Sequence, residues 1–199
     1  MTKLEKTVGI IISMLMLSML VIAIPFSNML LTLSVLVLFL VYFFLGFWLF
    51  NNIPLTKIGN KEARSGISTM RIIGSICAGF ALATTVIGIL FVFMRWPYGH
   101  DNLSNGLKML GVVLLISTIK IGITKAESSF YKRMILRVCI VGIVGLSLKM
   151  IPTVTLFEMK CHNCPEAYME AEKALINDPD NLELQRKADE ERRKMFEEE

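Results

Sequence analysis

What this chain lacks is acid within its apolar runs. Residues 1–152 hold 14 Lys and Arg but only 4 Asp and Glu, and no acidic residue falls inside a run long enough to cross a membrane. Intramembrane carboxylates are the usual basis of proton- or cation-coupled transport, so that mechanism has no visible residue here. Histidine is scarce, with only His100 and His162. There is one closely spaced cysteine pair, so a four-cysteine zinc site has no second pair to complete it within the chain. A P-loop, a dinucleotide fingerprint, a nucleic-acid motif and a Ser/His/Asp arrangement are all missing. The sequence points to no cofactor, no metal ligand set and no catalytic residue, and the chain is read as a non-enzyme.

A cleavage site is missing as well. Val8–Ile24 is an apolar run behind Lys3 and Lys6, as in a signal peptide. No Ala-x-Ala-like site follows it, only Pro25-Phe26-Ser27-Asn28, so it reads as a retained first span.

What the chain has in excess is apolar length. Hydrophobic residues make up 54% of it, concentrated in runs before Pro152. A bilayer core of about 30 Å needs about 20 helical residues. The pattern predicts an all-α integral membrane bundle with about five spans, at 8–24, 29–50, 72–94, 107–124 and 134–151. The second span ends in Tyr42, Phe43, Phe44, Phe47, Trp48 and Phe50, an aromatic end suited to the lipid–water boundary. In the third, Ser75, Gly79 and Ala83 recur every four residues and let a neighbouring helix approach closely. Cys77 and Cys139 read as small packing residues, and the 13 methionines as packing rather than soft metal ligands.

Between the third and fourth spans lies an interfacial corner, Arg95-Trp96-Pro97. Arg95 can snorkel, Trp96 can anchor at headgroups, and Pro97 disfavours helix at the residue before it. Gly99, Asn102, Asn105 and Gly106 read as turn residues after the corner, and His100 as a solvated loop residue. Lys120 is placed near the far end of the fourth span as a snorkelling anchor. Arg137 is placed in the first turn of the fifth span and Lys149 in its last, and both positions permit snorkelling.

Cations set the orientation. The connection Asn51–Arg71 carries Lys57, Lys61, Arg64 and Arg71, and Lys125–Arg133 carries three more; the first connection has none, and the third only Arg95 and Lys108 at its edges. The positive-inside rule then puts Met1 in the cytoplasm and, with five crossings, residues 153–199 in the periplasm. That segment holds 7 Lys and Arg against 13 Asp and Glu. A helix starting at Pro165, a turn at Asn177–Asn181 and a charged helix from Leu182 make it an acidic helical tail, suited to a protein partner. The other expected partner is the lipid bilayer; oligomeric state is not legible.

Within the tail, Cys161-His162-Asn163-Cys164 is a possible redox pair, or half of a zinc site. The βαβ pattern of a thioredoxin-like site is absent around it, and an incidental or structural disulfide is the plainer reading.

The corner also carries a resemblance. Phe91-Val92-Phe93-Met94-Arg95-Trp96-Pro97, a polar turn, then Leu107-Lys108-Met109-Leu110-Gly111 resembles the Trp-Pro hairpin of the gliding-motility and type IX secretion motor L subunit, and similar hairpins in uncharacterised multipass proteins of the same bacteria. Those motor subunits are inner-membrane proteins that act with a partner subunit and use the proton gradient. The resemblance covers residues 72–122 and implies hairpin geometry and inner-membrane location. Two features differ: Tyr98 stands where a small residue or Gly usually follows the Trp-Pro, and Leu107–Thr124 has Lys120 but no acid. The resulting expectation is a structural or interaction role in a cell-envelope assembly. The alternatives are a small transporter or channel, with Ser75, Thr84, Thr85 and Ser117 lining a polar path, and a membrane thiol–disulfide protein using Cys161 and Cys164.

Overall fold

The computed structural model describes residues 3–21, 26–57, 66–124, 128–161 and 164–197. The described residues form eight α-helices and no strand: α1 (Lys3–Met19), α2 (Ser27–Phe50), α3 (Thr69–Met94), α4 (Gly99–Ile123), α5 (Ser128–Met150), α6 (Thr153–Lys160), α7 (Glu166–Asn177) and α8 (Leu182–Glu197), with a 3-10 turn at Leu55–Lys57. The chain divides into two compact units, Met1–Met16 with Pro25–Met150, and Leu17–Ile24 with Ile151–Glu199. Lys61, Arg64, Lys125, His162, Asn163 and, of the expected Pro25–Asn28 connection, Pro25 lie outside the described residues, while Ser27 and Asn28 already belong to α2.

In the first unit, α2, α3 and α4 are each long and apolar enough to cross a membrane, as in a multipass membrane protein. Of these, α3 is the hub: 67% of its apolar core is buried, against 39% for α2 and 22% for α4, and it packs on α2, α4 and α5. Two of its faces are made for close approach. On the α2 side Ser75, Gly79 and Ala83 are buried, and a Cβ on Gly79 would lie 2.5 Å from the Tyr42 carbonyl oxygen and 3.3 Å from the Gly46 Cα. On the α4 side a Cβ on Gly106 would lie 2.6 Å from Thr85 Oγ1 and 2.7 Å from Thr85 Cα. The small-residue stripe expected from the sequence therefore serves packing within the chain, where close backbones gain dispersion contacts that lipid cannot supply.

The α3–α4 corner is tighter than the sequence indicates. The Arg95 N–H donates to the Val92 carbonyl at 3.1 Å and the Trp96 N–H to the Phe91 carbonyl at 2.8 Å. This is the closure that ends many helices, with Arg95 at φ 58 in the position glycine usually takes. The Trp96 ring then stands edge-on to Phe91, 5.1 Å away. Gly99–Gly106 are not turn residues as expected: they form the first two turns of α4, with His100 and Asp101 in its first turn. Gly99 and Gly106 meet α3 backbone, Leu103 is buried between the helices, and Asp101 sits where the helix dipole favours negative charge. Close packing, not a turn, accounts for the glycines.

The α5 boundary differs too. The helix begins at Ser128, not Met134, because Phe130 and Tyr131 are buried and carry it back by more than a turn. Arg137 is thus about 13 Å along α5 rather than in its first turn.

In the second unit α7 and α8 pack through buried Ala171 and Ala188. The Asn181 side-chain oxygen accepts from the N–H groups of Glu183 (3.1 Å) and Leu184 (3.3 Å), which caps α8. Glu166 occupies the first turn of α7, after Pro165. The turn and both tail helices fall where the sequence puts them; α6 is an addition.

Candidate functional site

One end of the first unit gathers the start of α1, the end of α2, the start of α3 and the first half of α5. Arg137 is the largest fully buried side chain of the described residues. Its Nε donates to Glu5 Oε1 at 2.6 Å and its Nη2 to Glu5 Oε2 at 2.9 Å. Both side chains are almost wholly removed from solvent, at 1% and 0% exposure. Nη1 donates to the Arg133 carbonyl at 3.2 Å, and the guanidinium lies 5.2 Å from the centre of the Phe50 ring. The buried Tyr42 hydroxyl is within hydrogen-bonding reach of Glu5. An Arg at this depth does not snorkel: its charge is neutralised in place by a two-pronged carboxylate, the geometry in which a buried pair best offsets its desolvation.

Beside this pair is a second polar group. Arg71 Nη2 donates to Asn51 Oδ1 at 2.9 Å, and Asn51 Nδ2 donates to Ser75 Oγ (3.0 Å) and to the Phe47 carbonyl (2.9 Å). The Arg71 guanidinium rests over the Phe130 ring at 4.8 Å. Asn51, one residue past α2, thereby ties α2 to α3 and orients Arg71. An apolar groove of about 330 Å³ opens on the same end, between Leu4 and the stretch from Val41 to Pro54, with Trp48 and Asn52 on its wall.

The four hydroxyls of the expected polar path are turned back on their own helices. Ser75, Thr84, Thr85 and Ser117 donate to the carbonyls of Arg71, Phe80, Ala81 and Val113. Ser75, Thr85 and Ser117 are also fully buried, in helix contacts.

Cys161 and Cys164 are joined in a disulfide, with Cα atoms 5.4 Å apart. It bridges the end of α6 and the residues just before α7. Cys161 sits at the carbonyl end of α6, where the helix dipole opposes a thiolate, unlike the helix N-terminus that activates redox cysteines. Cys77 and Cys139 are free thiols. Among the described residues no three His, Cys, Asp or Glu side chains come together to hold a metal.

In the tail, Glu172 is buried and accepts from Arg192 and from the Tyr168 hydroxyl. Burial pushes the Tyr168 hydroxyl above its ordinary pKa, and the Glu172 charge adds to the rise. The hydrogen bond to Glu172 raises that of Arg192.

Arg95, Trp96 and Pro97 lie between α3 and α4, at the opposite end of α3 from Arg71 and Ser75. Sequence reasoning missed the Glu5–Arg137 pair. The available signal was an unbalanced Arg amid apolar residues, with one acid in the first helix to answer it. No protein-family model matches this chain, and neither a curated protein nor a solved structure shows a match to it.

Proposed function

We propose that this is a five-span inner-membrane protein with a cytoplasmic N-terminus and a periplasmic tail, acting as a structural and interaction subunit of a cell-envelope assembly. The observation that carries the reading is the Glu5–Arg137 pair. It cancels the one charge deep in α5, while the outer face of α5 is apolar: Leu136, Ile140, Ile143, Val144 and Leu146 are all exposed. The face of α1 with Ile10, Ile11, Met14 and Leu17 is likewise exposed. Both helices suit lipid, and with α2, α3 and α4 they make five crossings. Lys3, Lys6, Lys57, Arg71, Lys132 and Arg133 then belong to one end of the bundle, which supports a cytoplasmic assignment for that end.

The interaction role is supported by the tail. Leu175, Ile176 and Leu184 are only half-buried on the α7–α8 pair and Leu182 is exposed, an incompletely covered apolar face in an acidic setting. The likeness of the α3–α4 corner to the motor L subunits fits a membrane subunit that works beside a partner. It carries over no proton-handling residue.

The test is the side of the tail. Membrane-impermeant maleimide is applied to reduced, intact cells carrying a Cys77→Ser/Cys139→Ser variant, then to lysed ones. Labelling of Cys161 and Cys164 in intact cells is expected. Labelling only after lysis means an even number of crossings and removes the periplasmic assignment. The interaction role fails if deleting Pro165–Glu199 leaves every co-purifying protein in place.

A further inference from the structure

We propose that Arg71 and Arg133 form a binding site for the phosphate of an anionic phospholipid at the cationic end of the bundle. The inference rests on the membrane reading above. The Arg71 guanidinium lies over the Phe130 ring, and Arg133 follows Phe130 by three positions, on the same face of α5. The Nε–H groups of Arg71 and Arg133 are both shielded from solvent and have no hydrogen-bond acceptor among the described residues. A shielded charged donor left without an acceptor is costly, and an anion that supplied one would relieve that cost.

Among the described residues of this unit the only acids are Glu5, engaged by Arg137, and Asp101, at the other end of α3. Arg71 is also pre-set. Asn51 holds its Nη2, and the Phe130 ring fixes its plane, so little freedom is lost on binding. Arginine matches phosphate oxygens in pairs where lysine offers a point charge. A bilayer leaflet presents phosphate at this depth. Exposed Ile73 and Ile76 on α3, and Leu136 and Ile140 on α5, lie further into the membrane on the same two helices, where acyl chains run.

The full chain is purified in non-ionic detergent and offered equal amounts of phosphatidylglycerol and phosphatidylcholine with the same acyl chains. Retained lipid is counted by native mass spectrometry. Phosphatidylglycerol is expected to be retained about tenfold over phosphatidylcholine, Arg71→Gln/Arg133→Gln to lose that preference, and Lys57→Gln/Lys132→Gln to keep it. Equal retention by the unaltered chain overturns the site. So does loss of preference in the lysine variant, which marks diffuse charge, and so does displacement of lipid by excess inorganic phosphate, which marks a free-phosphate site. If the glutamine variant does not fold, Arg71→Lys/Arg133→Lys decides: it keeps the charge but removes both Nε–H groups, and an unchanged preference overturns the proposal. A chain that stays dissolved without detergent would instead overturn the membrane reading itself.

Discussion

Glu5 and Arg137 stand 132 positions apart in the chain and share two hydrogen bonds inside the bundle. The pair fastens the start of α1 to the third turn of α5. Removing one partner strands the other charge out of water, which costs about 3–5 kcal/mol, whereas an apolar pair of similar volume is often neutral. Thermal unfolding of the full chain in detergent checks this. Glu5→Gln and Arg137→Met are each expected to be strongly destabilised, and Glu5→Met/Arg137→Met to recover most of the loss. Simple addition of the two single losses would show that the residues do not act as a pair.

The glycines of α3 and α4 make opposite predictions according to what surrounds them. Gly79→Ala drives a methyl into the Tyr42 carbonyl and Gly106→Ala drives one into Thr85, backbone in both cases, so neither neighbour can swing away. Each is expected to cost about 1–3 kcal/mol through forced separation of the helices. Gly111 has nothing within 4 Å of where its Cβ would be. Gly111→Ala is expected to stabilise by about 0.5–1 kcal/mol, from helix propensity alone. A loss at Gly111 equal to those at Gly79 and Gly106 would remove the packing explanation.

These sites show which features were legible. Hydropathy and the two prolines place α2, α3 and the α7–α8 pair, because run length and Pro97 or Pro165 act locally. The start of α4 was hidden: Gly99, Asn102, Asn105 and Gly106 have turn chemistry, and only the opposing α3 backbone shows that two of them are spacers. Arg137 was misplaced for a related reason. Its depth depends on where α5 begins, and burial of Phe130 and Tyr131, a tertiary effect, sets that point. The Glu5 partnership spans nearly the whole bundle unit, and no periodicity encodes a contact of that range.

The Cys161–Cys164 disulfide closes a very short loop. In the chain-entropy account such a loop contributes only about 2 kcal/mol. Cys161→Ser/Cys164→Ser is expected to speed amide exchange in α6 and the first turn of α7 and to leave the α2–α4 amides unchanged. Hydrogen exchange on the full chain in detergent reads both regions. If the variant also alters the redox state of co-purifying proteins, the pair is a thiol–disulfide catalyst and not a staple.

Tyr168 makes the tail sensitive to alkali. Burial and the adjacent Glu172 raise its pKa above the ordinary value, so the fold favours the neutral phenol. Its contribution is fully present below the unfolded value of about 10 and is lost as pH rises through the higher folded value. Phenolate absorbance, taken as the difference between the unaltered chain and Tyr168→Phe, is expected to titrate above that ordinary value. A midpoint at or below it would mean that the α7–α8 contact does not shield the ring.

Tyr98 carries the last prediction. It holds φ 59, ψ 15 immediately before α4, in the left-handed region, and its side chain makes no cap and is 79% exposed. A side chain in that region costs about 1–2 kcal/mol, and glycine at the same position does not bear that cost. Part of the gain is offset, because glycine also loosens the unfolded chain. Tyr98→Gly is therefore expected to stabilise the protein by about 0.5–1 kcal/mol in detergent micelles. In bilayers the gain should shrink, since an exposed tyrosine beside Trp96 and Pro97 lies where aromatic rings anchor at the headgroups. Measuring the variant in both media separates the two effects. Destabilisation in micelles would show that Tyr98 is held by contacts stronger than its backbone strain, and an equal gain in bilayers would deny it an anchoring role.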